Sequence, residues 1–348
     1  MKKNFFNIKL NFKIGVFTFF SLFFLYLLYL SIPSLYDSGR VQKVLYNKLI
    51  DEFSLNLSLS SDITYRILPQ PHFYIKDTKI FRDKTKVSEE IGEVKDLKVF
   101  ISRTNFFNKE NININKIELS KCNFFFNRKN LDYISDLLKK EFSQKKILIK
   151  KSKLFFNDKN DNIIFIYTIK NLNLFKNYKE NINQIKTSGS LFKIPISLFW
   201  QKDLNNKNTL LNFKAEKVDI DFTNKGKFTN GKYIYDNNFS ILTNNFKTKY
   251  EITENNIKLN SKKSFIKNTP ISYTGNVELS PFSFKIVIDA KEIDLEYFLN
   301  STFLLNEIIS SKILINKNIN GLIKLKTKKL NKIRLFDRAD LNLNFEEG

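Results

Sequence analysis

Few residues of this 348-residue chain are suited to chemistry, and their spacing gathers none of them into a catalytic site. The one histidine, His72, follows Pro71 in a turn-forming string, and the one cysteine is Cys122. An imidazole with no Ser or Cys elbow to activate reads as a solvent-facing or capping residue, not a general base. One Cys and one His also exclude an intramolecular disulfide, zinc fingers and His-rich metal sites. Paired acids stand at Glu89/Glu90 and Asp219/Asp221. Carboxylate pairs can share acid–base work, but pairs on the polar face of a strand more simply keep that face soluble. Trp200, the only indole, follows Phe199 and reads as a core or interface residue. Strings for phosphate loops, dinucleotide folds, zinc proteases and nucleophile elbows are missing, and nine glycines leave little for phosphate cradles. The expectation is therefore no catalytic residue, no cofactor, no metal and no enzyme.

The elements that would position any other function begin with an anchor. Ile14 to Ile32 is an uncharged apolar run of nineteen residues, long enough as a helix to cross a hydrocarbon core of about 30 Å. Lys2, Lys3, Lys9 and Lys13 precede it without an acid, whereas Arg40 and Lys43 follow it with Asp37 opposed. The positive-inside rule then leaves the amino terminus in the cytoplasm and the bulk of the chain outside. A cleaved signal peptide is the rival reading. It is disfavoured by an apolar run longer than the usual h-region of about 7–15 residues and by the lack of a small-x-small cleavage site. Tyr26, Tyr29 and Tyr36 fall where amphipathic rings favour the outer interface.

The net charge of +23 invites a nucleic-acid reading. Only seven of the 58 basic residues are Arg, however, and recognition of bases and phosphates leans on Arg. The charge reads instead as solvated lysine, and no nucleic-acid partner is expected. The densest run, Lys139 to Lys153, is a wet surface that could also touch anionic lipid headgroups.

Helical spacing of Val41, Val44, Leu45, Lys48 and Leu49 predicts a short amphipathic helix after the anchor. The period then becomes two: Leu55, Leu57 and Leu59 share one face, and the same alternation returns at Leu97, Val99 and Ile101. It recurs at Val218, Ile220 and Phe222, at Phe284, Ile286 and Ile288, at Ile323 and Leu325, and at Leu341, Leu343 and Phe345. These runs predict strands of about 5–8 residues closed by turns such as Asn157 to Asn162 and Asn230-Gly231. Ile163 to Leu174 is apolar on both faces, which predicts cover on its outer side as well. Helical stripes interrupt the pattern at Leu131–Phe142 and again over residues 295–309. The fold class expected is mainly β with a few helices: a transmembrane helix followed by an elongated, curved, groove-like antiparallel sheet. Its apolar face must be hidden in a closed core or filled by a ligand.

The order of these elements resembles the AsmA family of bacterial envelope proteins. Leu55 to Phe81 is similar to the family's opening strands, with a P-x-P turn at Pro69-Gln70-Pro71 and an Asp, Asp77, before the strand's exit. GEVKDLKVFIS and NININKIELSKCNFFFNRKN are similar to its paired strands before a helix, and the stretch from Ile293 to Gly348 to its carboxy-terminal half around Asn320-Gly321. Ser or Lys stands where the family tends to have Gly. The resemblance implies an inner-membrane protein with a periplasmic β-groove, related to TamB-type lipid carriers and serving outer-membrane assembly. It places a cytoplasmic tail at 1–13, the anchor at 14–32 and a helix and linker at 33–53. An AsmA-like β region with a helix follows at 54–142, then a repeating sheet at 143–348 that reads as incomplete at its end. Phospholipid is the expected ligand, and Leu55, Leu57, Leu59, Leu97, Val99, Ile101, Phe284, Ile286, Ile288, Ile323 and Leu325 are the candidate groove residues. The alternative is a tethered assembly factor that binds envelope proteins through sheet edges and moves no lipid.

Overall fold

The computed structural model describes residues 3–58, 60, 62–82, 90–104, 106–108, 112–127, 131–157, 163–253, 255–279, 281–294, 320–331 and 339–346. Leu59 and the helix expected over 295–309 lie outside these. The fold is mainly β: eighteen strands belong to one large mixed sheet and two more pair by themselves. Three α-helices are described: α1 (Lys3–Ser31), α2 (Ser38–Phe53) and α3 (Leu131–Lys139). The chain divides into two compact units, residues 1–178 with 186–192, and residues 179–185 with 193–348. This division falls well beyond residue 142, because the strands on either side of α3 pair with each other.

The first unit contains α1, α2 and α3 with β1 (Asn56–Ser58), β2 (Ile63–Arg66), β3 (His72–Phe81), β4 (Glu90–Ile101), β5 (Ile114–Asn127), β6 (Lys146–Asn157) and β7 (Ile163–Asn177). The Asp37 carboxylate caps α2 by accepting from the Arg40 amide at 2.8 Å, and Ser54 closes the helix in the left-handed region. Val41, Leu45, Leu49 and Phe53 recur every fourth residue and are all buried. That stripe packs on the inward face of the sheet: Phe73 and Ile75 of β3, Val94, Leu97 and Val99 of β4, and Ile117 and Leu119 of β5.

These strands run 10–15 residues, longer than the alternation predicted. Where the period of two breaks, the strand continues through a three-residue step that returns the next inward residue to the same face. Ile75 is followed by Thr78, Val94 by Leu97, Leu119 by Cys122, Ile149 by Ser152 and Ile169 by Leu172, and the steps lie side by side in register. Asp77, Lys121 and Lys151, inside three of the steps, have positive φ. Asp is among the non-glycine residues that tolerate this region most readily, so the family-like Asp77 has a backbone role here. The step also corrects the two-sided reading of β7. Leu172 and Leu174 pair with Ile149 and Ile147 on the inward face, while Ile163 and Ile166 are exposed rather than covered.

The sheet is mixed, not antiparallel throughout. β5 and β6 run parallel, and α3 supplies the crossover that a parallel pair requires. The second unit has the other parallel join. Its strands are β8 (Ile182–Leu191, shared with the first unit), β9 (Ile194–Asp203), β10 (Thr209–Ala215), β11 (Ile220–Thr229), β12 (Lys232–Ile241), β13 (Asn244–Ile252) and β14 (Asn256–Ile266). They continue with β15 (Thr269–Leu279), β16 (Phe282–Ala290), β17 (Ile293–Asp294), β18 (Asn320–Thr327), β19 (Leu330–Asn331) and β20 (Ala339–Phe345). β9 to β16 form an antiparallel meander, β18 adds parallel to β16, and β20 adds antiparallel to β18. Asn230 and Gly231 both take positive φ between β11 and β12, the two-residue hairpin turn their types predict.

His72 opens β3 from the Pro69–Pro71 turn and is buried, not solvent-facing. Its Nδ1–H donates to the Gln70 carbonyl at 2.7 Å, and its ring lies 5.0 Å from that of Phe100. Burial holds the imidazole below its ordinary value of 6.5; the Gln70 bond opposes this, and Lys98 and Arg66 add to it.

Two measurements test this fold. Leu45 is fully buried, so Leu45→Ala should cost about 2–5 kcal/mol in denaturant unfolding of the full chain in lipid nanodiscs. The unfolded chain takes up a proton at His72 near its ordinary value, whereas the folded chain does so only at lower pH. His72 therefore stabilises the fold fully above its unfolded value and loses that contribution as pH falls toward the folded one. Between about pH 7 and pH 5, stability should fall less steeply in His72→Asn than in the parent chain.

Candidate binding groove

The pairing register of the second unit places its apolar residues on one face. Leu198 of β9 pairs with Phe213 of β10, Phe213 with Phe222, Phe222 with Phe239, and Phe239 with Phe246. In the next row Gly226 pairs with Tyr235, Tyr235 with Tyr250, Tyr250 with Leu259, Leu259 with Gly275, and Gly275 with Ile286. Ile286 pairs with Ile323, and Ile323 with Leu343. Directly opposed side chains in a sheet point the same way, so the row crosses from β11 to β20 without leaving the face. The intervening residues, among them Asp221, Lys225, Lys249, Lys258, Lys285 and Lys324, take the other face.

Aromatic rings make much of the floor. Tyr235 and Tyr250 stack at 4.8 Å and 12°, Phe239 and Phe246 at 6.0 Å, and Tyr233 adjoins Tyr235 at 5.8 Å. Glycines let rings lie this low. A Cβ on Gly226 would stand 2.6 Å from the Tyr235 ring, and one on Gly321 would stand 2.4 Å from the Phe284 ring. Some of the floor's hydroxyls bond within it: Asn224 Nδ2 donates to the Tyr250 oxygen at 2.7 Å, and Thr248 and Tyr273 share a hydrogen bond of 2.5 Å. Burial raises the pKa values of Tyr235 and Tyr250, which keeps both phenols neutral.

A cavity of about 710 Å³ opens on this floor, lined by Phe222, Phe239, Phe246, Tyr250, Ile252, Ile257, Leu259, Tyr273 and Val277 with Asn237 and Thr248. No charged side chain lines it. Its size falls among pockets that take small molecules, and its lining can exclude water around an aliphatic chain. The lining is half-buried except for buried Asn237 and more exposed Ile252. Among the described residues the fully buried apolar cluster of this unit contains only Ile271, Ala290 and Leu325.

The candidate groove residues therefore separate into two environments. Phe284, Ile286, Ile288, Ile323 and Leu325 share the open face, with Leu325 the most buried of the five. Leu57, Leu97, Val99 and Ile101 lie in the sealed core of the first unit, with Leu97 and Val99 at 0% exposure, and Leu55 packs at its margin. The chain's own helix fills that space, which leaves none for a ligand. Tyr235, Phe239, Phe246 and Tyr250 are floor residues that sequence reasoning missed. Their alternation passes through an inward Asn237, so a search for uninterrupted apolar runs stops short of them.

The other residues singled out for chemistry have structural roles. Asp221 pairs with Lys214 across strands at 3.1 Å and Glu90 with Lys79 at 2.7 Å. Asp219 closes a turn with positive φ. Cys122 is a buried thiol pushed up to about 11 by desolvation. In the lysine-rich stretch, Lys139, Lys145 and Lys150 pair with Asp136, Glu52 and Glu118. No group of three or more His, Cys, Asp or Glu among the described residues is placed to hold a metal ion.

No family model matches this chain, and no curated protein is similar to it at a significant level. One solved structure, of a sex pheromone staph-cAM373 precursor, aligns with 90% of this chain and 96% of its own at 9% identity. Its TM-score of 0.13 carries no argument about fold or function.

Proposed function

We propose that this chain is a membrane-anchored lipid-handling protein whose second unit holds phospholipid acyl chains against the apolar face of β11 to β20. The observation that carries this reading is the uncharged, aromatic floor with its half-exposed cavity. A contiguous apolar surface of this kind is costly in water and is relieved by an apolar occupant. Acyl chains need a continuous stripe and no directional chemistry, which matches a floor where Tyr250 and Tyr273 already bond to Asn224 and Thr248.

The anchor reading has its own support. Leu30, near the end of α1, is part of the buried core of the first unit, and the Tyr65 hydroxyl donates to its carbonyl at 2.6 Å. A removable leader would take a core residue with it, so these contacts favour a retained helix. With the amino terminus in the cytoplasm, both units would face the periplasm of a bacterial envelope. This is the arrangement expected of the AsmA resemblance, and it would serve phospholipid supply to the outer membrane.

Protein extracted in detergent and purified should carry phospholipid detectable by mass spectrometry. Leu259→Asp, which sets a charge on the floor, should lower the bound lipid several-fold while the chain stays folded by circular dichroism. A photocrosslinker at Ile286 should label lipid. Protein adducts alone at that position, with no lipid in the purified chain, would favour the tethered assembly factor instead.

A further inference from the structure

The end of the first unit next to α1 carries three large apolar side chains that are left exposed among the described residues. Leu35 and Leu68 are 80% exposed and Phe107 is 77% exposed. They lie on three separate segments: the turn after α1, the turn between β2 and β3, and the connection from β4 to β5. The Ile101 amide donates to the Pro71 carbonyl at 3.0 Å, which holds the last two at the same end of the β3–β4 ladder.

Both segments are tied to the end of α1. The Tyr65 hydroxyl reaches Leu30 from β2, the Tyr29 hydroxyl donates to the Arg103 carbonyl at 2.9 Å, and that of Tyr36 donates to the Phe106 carbonyl. The Tyr29 ring stacks on Phe106 at 5.2 Å and lies 5.8 Å from Phe107. Tyr29 stands three residues before Ile32, the last of the apolar run, or about 4.5 Å short of its end along the helix. If α1 spans a bilayer, Phe107 is therefore fixed at the depth where acyl chains give way to headgroups. Arg103 donates to the Tyr26 hydroxyl at 3.3 Å, and its long side chain is of the kind that snorkels toward the phosphates.

We infer that Leu35, Leu68 and Phe107 form a rim seated in the leaflet from which α1 emerges. The partner of this surface is the phospholipid bilayer, and the rim holds the first unit down on the membrane. Its three side chains come from separate segments whose backbones are already fixed by hydrogen bonds, so little further ordering opposes insertion. The inference rests on α1 being a retained anchor.

The test uses the full chain in nanodiscs of phosphatidylcholine whose acyl chains carry bromine both near the headgroup and near the chain end, compared with unbrominated discs. Phe107→Trp, Leu68→Trp and, within the anchor, Phe23→Trp are each made in a Trp200→Phe background, so that each variant has one indole. All three should lose emission in the brominated discs. If Phe23→Trp is quenched while either rim position stays bright, the rim is overturned and the anchor stands. If Phe23→Trp also stays bright, the anchor reading fails, and the rim with it.

Discussion

The structure depends on how each unit deals with the apolar side of a sheet. Alternating strands place their hydrophobic residues on one face, and leaving that face in water is unfavourable in proportion to its area. In the first unit the answer is internal. α2 lays Val41, Leu45, Leu49 and Phe53 on the strands, and the end of α1 adds Leu30 to the same core. In the second unit the described strands carry an equally apolar face that stays half-buried, and its three-residue buried cluster is small beside the core under α2. One sheet chemistry thus yields a sealed core in one place and an open apolar face in another, according to whether a helix is supplied.

That contrast explains why the fold was more legible in the sequence than the site. Strict alternation at Phe284, Ile286 and Ile288 and at Ile323 and Leu325 placed these residues correctly on a shared face. The same pattern at Leu57, Leu97, Val99 and Ile101 is indistinguishable in sequence, yet α2 covers those residues. Alternation reports which way a side chain points, whereas occupancy of the space it points into depends on elements far along the chain. The helical stripe at 131–142 was legible as well, but not its consequence, the change from antiparallel to parallel pairing between β5 and β6.

Turns divided along similar lines. Asn230-Gly231 announces a hairpin because both residues tolerate positive φ. Phe192 and Lys193 make a turn with φ of 51° and 64°, and neither type suggests it.

The three-residue steps in β3 to β7 have a consequence for how this protein can change. Each inserts a polar pair, Lys76-Asp77, Lys95-Asp96, Ser120-Lys121, Lys150-Lys151 or Lys170-Asn171, between two residues that face inward. Neither of two paired strands has a residue more than its neighbour across the step, and five steps in line amount to a crease across these strands. A crease shared by neighbours cannot be removed one strand at a time. Deleting one residue of such a polar pair would restore simple alternation in that strand and keep its side chains on their faces, but it would slip every residue beyond the step by one position against neighbours that keep theirs. The crease thus acts as a register lock, and substitutions within it are accommodated far more easily than changes in strand length.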